Sequence, residues 1–186
     1  MSDYPYAEGL KGPLLKTGNL SLTNPALRFF FTLSYWRAVT MRPILSTKRH
    51  RITLKGYQGC QLYCHVIEAN QLDLDAPTLI YYHGGGFFAD LSPLIIQKAC
   101  FYAHALKCKV FIPRYRTTYR YAYPIPLEDC YESSLDLVEH ASQWGINPNK
   151  LVLYGDSAGG ALAAGVALMA RDRKAFKPAF QMLIYP

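Results

Sequence analysis

Between Glu8 and Glu68 the chain carries no acidic residue, while nine lysines and arginines fall in that interval. Over the whole sequence Lys and Arg outnumber Asp and Glu by 20 to 13, a formal charge of +7. Such a basic N-terminal third can favour anionic membrane surfaces or acidic partners, and its plainer reading is a solvated basic face. Nucleic-acid binding is not expected, because no arginine-rich run or interleaved aromatic–basic module accompanies the charge. Long apolar runs are missing too: FFFTLSYW, 29–36, falls well short of the ~20 residues that cross a bilayer. The opening residues, MSDYPYAEGLKG, lack the basic-then-apolar order of a secretion signal. The five cysteines show no zinc-ligand pattern, since neither a second pair nor His-x-x-x-His follows Cys60 and Cys64. Free buried thiols in a reducing compartment are the simpler account, so a cytoplasmic location is expected.

What is present is a hydrophobic chain, 51% apolar over 186 residues, long enough to bury one core. No internal repeat or low-complexity stretch interrupts it. PALRFFFTLSYWRAVTMR, 25–42, reads as a helix, with Asn24 as cap, Pro25 in the first turn and Pro43 limiting its end. Residues 51–69 read as two strands around a glycine-containing turn, antiparallel and near a sheet edge. From residue 76 strand and helix alternate: strands at 76–83, 109–115, 151–155 and 179–186, helices at 94–106, 126–145 and 157–172. Several of these strands are apolar on both faces. That pattern predicts an α/β fold, a mostly parallel sheet with helices on each side.

Two glycine motifs lie on this frame. YYHGGGFF, 81–88, follows a strand, and chance produces His-Gly-Gly-Gly only roughly once per thousand chains of this length. Three glycines let main-chain N–H groups turn toward a ligand without Cβ obstruction. Acyl transfer needs such donors for the oxyanion of its tetrahedral intermediate. LVLYGDSAGG, 151–160, places Ser157 where a strand gives way abruptly to a helix. So sharp a turn strains its central residue and demands small neighbours, here Gly155 and Gly159. The same turn aims the N–H of Ala158 toward the place the glycine loop addresses. Neither glycine motif matches Gly-x-Gly-x-x-Gly or a phosphate loop, so no nucleotide is expected, and no metal or other cofactor either.

HGGGFF followed by GDSAGG, 74 residues apart from His83 to Ser157, resembles the hormone-sensitive-lipase-like (HGGG) esterases of the α/β-hydrolase fold, a group that includes the arylacetamide deacetylase-like enzymes. RYRTTYRYAYPIPLEDC, 114–130, is similar to that family's Asp-Tyr-Arg-Leu-Ala-Pro-Glu-x-x-Phe-Pro-Ala-x-x-Glu-Asp segment, matching at Tyr115, Arg116, Pro124, Glu128 and Asp129. It departs at Arg114, where the family has Asp, and at Thr117–Arg120, which replaces Leu-Ala-Pro-Glu. The resemblance implies hydrolysis of small acyl esters, with Ser157 as nucleophile and Gly85, Gly86 and Ala158 as oxyanion donors. His83, Gly84, Gly155, Asp156 and Gly159 would shape the two loops, with His83 not the base. Residues 1–49 would form a helical cap and 50–186 the N-terminal part of the hydrolase core.

A serine needs a base, and the base an orienting acid. In this fold both follow the serine in the chain. After Ser157 there is no histidine, and Asp172 is the only carboxylate. The chain is therefore expected to be a piece of a longer esterase, lacking the last strands and helices and slow or inactive alone. Two other readings stay open. One is a non-catalytic receptor for a small ligand on the same scaffold; the other is a protein that meets lipid surfaces through its basic N-terminal third.

Overall fold

The computed structural model of the chain describes residues 25–73 and 75–186. Asn24, expected to cap the first helix, lies outside them, as does the stretch 1–24 of the expected cap region. All five residues of β3 (Thr78–Tyr82) are buried, so this strand must be covered on both faces. Alternation does the sorting. Leu79 and Tyr81 enter a core with Ile96, Ala99 and Cys100 of α2 (Pro93–Leu106). Ile80 and Tyr82 enter the opposite core, with Tyr131 of α3 (Ile125–Glu139) and Leu162 and Val166 of α5 (Ala158–Asp172). Each large side chain so buried contributes about 1.5–3 kcal/mol.

The sheet has six strands in the order β1-β2-β4-β3-β5-β6. β4 (Lys109–Pro113) and β5 (Leu151–Asp156) flank β3 in parallel, and β6 (Phe180–Ile184) lies parallel to β5. β1 (Thr47–Lys55) and β2 (Gln61–Ala69) form the expected antiparallel pair at one edge, with β2 antiparallel to β4. The turn between them is a short 3₁₀ segment in which Gln58 (φ 60°) and Gly59 (φ 72°) are left-handed.

Two boundaries differ from the sequence reading. β1 starts at Thr47, four residues early, because Thr47 to His50 find main-chain partners opposite Val66 to Ala69 of β2. The helix expected over 126–145 breaks at His140, whose φ of −108° and ψ of 28° are not helical. Its imidazole bonds back to the Asp136 carbonyl at 2.9 Å, and a short α4 (Ala141–Trp144) follows, closed by left-handed Gly145.

α1 (Pro25–Thr40) joins the α2 side of the sheet through Ala38 and Tyr35. Arg49 of β1 secures its C-terminal end, donating from Nη1 to the carbonyls of Ala38 (2.7 Å) and Met41 (3.2 Å). Phe29, Phe30 and Trp36 of α1 remain exposed. Among the described residues, no helix is long and apolar enough to cross a membrane.

Candidate active site

Ser157 occupies the junction of β5 and α5 with φ 52° and ψ −127°, a left-handed conformation that costs a non-glycine residue about 1–3 kcal/mol. Main-chain bonds hold it there. Its N–H donates to Ile184 O of β6 at 2.9 Å, and its carbonyl accepts from Gly160 N at 2.8 Å. The serine itself is exposed while Gly155, Asp156 and Ala158 around it are buried. Small neighbours are required on both sides. A Cβ on Gly155 would stand 2.0 Å from Gly159 O, and one on Gly159 would stand 1.9 Å from Tyr82 O. The close approach of α5 to β3 is what lets the chain turn so sharply.

The glycine loop comes to the same place. A Cβ on Gly84 would lie 2.6 Å from Asp156 O and 3.3 Å from Ser157 Cβ, so this loop touches the serine turn directly. Gly85 (φ 125°), Gly86 (φ 59°) and Phe87 (φ 64°) then run left-handed in succession. Gly85 O receives Phe88 N (3.2 Å) and Ala89 N (2.9 Å), closing the loop into a tight turn. Among the described residues, the amides of Gly85 and Gly86, and that of Ala158 at the start of α5, have no main-chain acceptor. Gly84 thus brings a loop with two uncommitted amides against the serine turn, where the N–H of Ala158 opens a helix N-terminus that favours negative charge.

Two buried side chains fix the loop from beneath. Asp156 accepts from Lys98 Nζ (2.8 Å), Tyr81 OH (2.8 Å) and Gly84 N (3.3 Å). Burial pushes this carboxyl up, but the Lys98 and Tyr81 hydrogen bonds outweigh it and hold it below the ordinary aspartate range. His83 is fully buried, donates from Nδ1 to Gly84 O at 2.9 Å, and stacks on Tyr115 with ring centroids 4.5 Å apart. Burial lowers its pKa and keeps the ring neutral, and Tyr115 OH bonds the His83 carbonyl at 2.8 Å. The sequence does not mark Lys98, Tyr81 and Tyr115 as supports of the site, because no local spacing signals a partner 32 to 75 positions away.

The divergent segment after β4 is well anchored. Arg114 grips Asp90 through Nε and Nη2 and lies 4.1 Å over the Tyr35 ring. Arg116 binds the fully buried Asp129 through Nε and Nη2, both at 2.8 Å, and Asp129 also accepts from Tyr57 N and Arg116 N. Thr118 N donates to Phe87 O at 2.8 Å, tying this segment to the glycine loop. A cavity of about 560 Å³ opens between it and α1, lined by Phe31, Tyr35, Trp36 and Phe88 among others.

Among the described residues, no histidine is hydrogen-bonded to Ser157. His50, His104 and His140 are exposed on β1, α2 and the end of α3. His65 is buried in β2, where burial and then Arg49 (Nη2 to Nδ1, 3.1 Å) push its pKa down to about 4. Among the described residues, no three His, Cys, Asp or Glu side chains converge as a metal ion would require.

The chain is 33% identical over 114 residues to the esterase LipI of Mycobacterium tuberculosis, a match covering 60% of this chain and 35% of that protein. It is 31% identical over 100 residues to arylacetamide deacetylase-like 3 of Homo sapiens, covering 52% and 24%. Its fold superimposes on the hyperthermophilic esterase of the archaeon Pyrobaculum calidifontis with a TM-score of 0.76 at 29% identity, covering 90% of this chain and 52% of that one. The chain spans about a third of the length of the curated esterases it matches. The sequence model that matches residues 79–186 takes in β3 to β6, both glycine motifs and more than half the chain, and it assigns this protein to the alpha/beta hydrolase fold family.

Proposed function

We propose that this protein acts in carboxylic-ester hydrolysis through an acyl-enzyme on Ser157. The observation that carries the reading is the strained, exposed Ser157 held against Gly84 of the glycine loop. In this reading Ser157 Oγ attacks the ester carbonyl and its proton passes to the departing alcohol. Water then releases the acid and restores the hydroxyl. The amides of Gly85, Gly86 and Ala158 receive the oxyanion at each step, one such donor being worth ~3 kcal/mol. His83, Asp156 and the glycines 84, 155 and 159 keep the two loops in register. In this reading α1 belongs to a cap, while Thr47–Arg49 are part of β1 and of the core sheet, and Phe31, Tyr35 and Trp36 of α1 wall the cavity beside the loop. Esterase relatives support the class of reaction.

A serine of ordinary acidity is a poor nucleophile, and no described histidine reaches it. Nitrophenyl acetate is therefore turned over slowly or not at all by these 186 residues. Labelling with a fluorophosphonate tests the site itself. The expected result is a single slow adduct on Ser157, absent from Ser157→Ala, because the loop amides can stabilise the developing charge without a base. A Ser157 left unlabelled after prolonged exposure to excess reagent would overturn the reading. The missing contact to a histidine favours one second reading, a receptor that binds a small ligand without turning it over. Tight, stable binding of an intact ester with Ser157 unlabelled would support that reading instead.

A further inference from the structure

We infer that the cavity between α1 and the segment 114–121 binds a flat aromatic group bearing one negative charge, with Arg120 as its counter-charge. At about 560 Å³ the space falls in the range that holds small molecules. Its walls are mainly aromatic. Tyr35 and Trp36 of α1 face Tyr63, Phe88 and Tyr121 across it. Rings of this kind stack offset or edge-to-face on an aromatic guest.

Charge decides which guest. Three arginines line the cavity, and two are already matched: Arg114 by Asp90, Arg116 by Asp129. Arg120 is exposed and makes a main-chain bond alone, its N–H to Thr117 O at 3.1 Å. Among the described residues its guanidinium has no carboxylate partner. Asp90 is the cavity's acidic lining residue, and Arg114 engages both of its oxygens. One positive charge is therefore left over, on a planar group suited to a carboxylate.

The cavity adjoins the glycine loop, since Phe88 lines it and Thr118 N bonds Phe87 O. If the guest is one arm of an ester, a step that rests on the esterase reading, the preferred substrate carries an aromatic carboxylate on that arm. Binding itself does not depend on hydrolysis.

Calorimetric titration of the full 186-residue chain carrying Ser157→Ala with 2-naphthoate and neutral 2-naphthamide tests the site. Arg120 is exposed, so the expected preference for naphthoate is modest, about threefold to fivefold at low salt. Arg120→Gln should abolish that preference while leaving naphthamide affinity unchanged, and Arg120→Lys should retain most of it. Binding of neither compound, equal binding of both, or a preference that survives in Arg120→Gln would overturn the proposal. If naphthoate is preferred but fluorophosphonate fails to label the native chain, the site stands and the hydrolase reading falls.

Discussion

Replacing Gly159 by alanine probes the contact on which the serine turn depends. The added methyl would stand 1.9 Å from Tyr82 O and 2.7 Å from the carbonyl carbon, both main-chain atoms of β3. Non-bonded heavy atoms rest at roughly 3.5–4.0 Å, so α5 and β3 must separate by more than about 1 Å. A close-packed interior yields little, and overpacking costs about 1–3 kcal/mol, the upper end applying where backbone opposes backbone. Alanine returns up to about 1 kcal/mol of helix propensity, leaving a net loss of about 2 kcal/mol. Gly165 is the control, six residues further along α5: its Cβ would meet Leu127 Cδ1 at 2.8 Å, the tip of a side chain that can turn aside. Gly165→Ala is expected to be neutral or slightly stabilising. With a urea slope of about 1–3 kcal/mol/M, Gly159→Ala should lower the midpoint by about 1 M relative to Gly165→Ala. Fluorophosphonate labelling of Ser157 should slow in the first variant and not in the second. Equal midpoints together with equal labelling rates would refute the argument that this close approach builds the turn.

Two further perturbations address the supporting structure. Asp129→Ala removes the acceptor of Arg116 and of the Tyr57 and Arg116 amides from a fully buried position, and stability should fall by about 3–5 kcal/mol, measured by urea unfolding. His65 stays neutral in the fold down to about pH 4 but titrates near 6.5 when unfolded, so the unfolded chain binds the extra proton between those values. Stability is accordingly full above pH 6.5 and is lost as pH falls toward 4, by about 3 kcal/mol from this group. Unfolding midpoints at pH 7, 5.5 and 4.5 should show that slope, and His65→Gln should flatten it.

Strand and helix alternation, the antiparallel edge pair and the meeting of the two glycine motifs could be read from the sequence because each has a local signature. Apolar runs such as Thr78–Tyr82 declare a strand buried on both sides, and Gly155 and Gly159 bracket Ser157 just where a strand run gives way to a helical one. The start of β1 escaped that reading, since Thr47, Lys48, Arg49 and His50 resemble a solvated basic stretch and become a strand only by pairing with β2. The break at His140 depends on one imidazole reaching back to Asp136. Arg114 was visible as a departure, but its partner Asp90 lies 24 positions away and carries no periodic mark. Lys98 was one helical residue among many until the fold placed it on Asp156.

The hydrogen bond from Ser157 N to Ile184 O gives β6 a role beyond completing the sheet. Among the described residues that strand pairs with β5 alone, at the sheet margin opposite β1. Fraying there would remove the brace that keeps the serine backbone cocked, letting it relax toward an ordinary angle and lowering the hydroxyl. If Ser157 is the nucleophile proposed above, whatever grips or releases this outer ribbon acts as a throttle on it without ever contacting it.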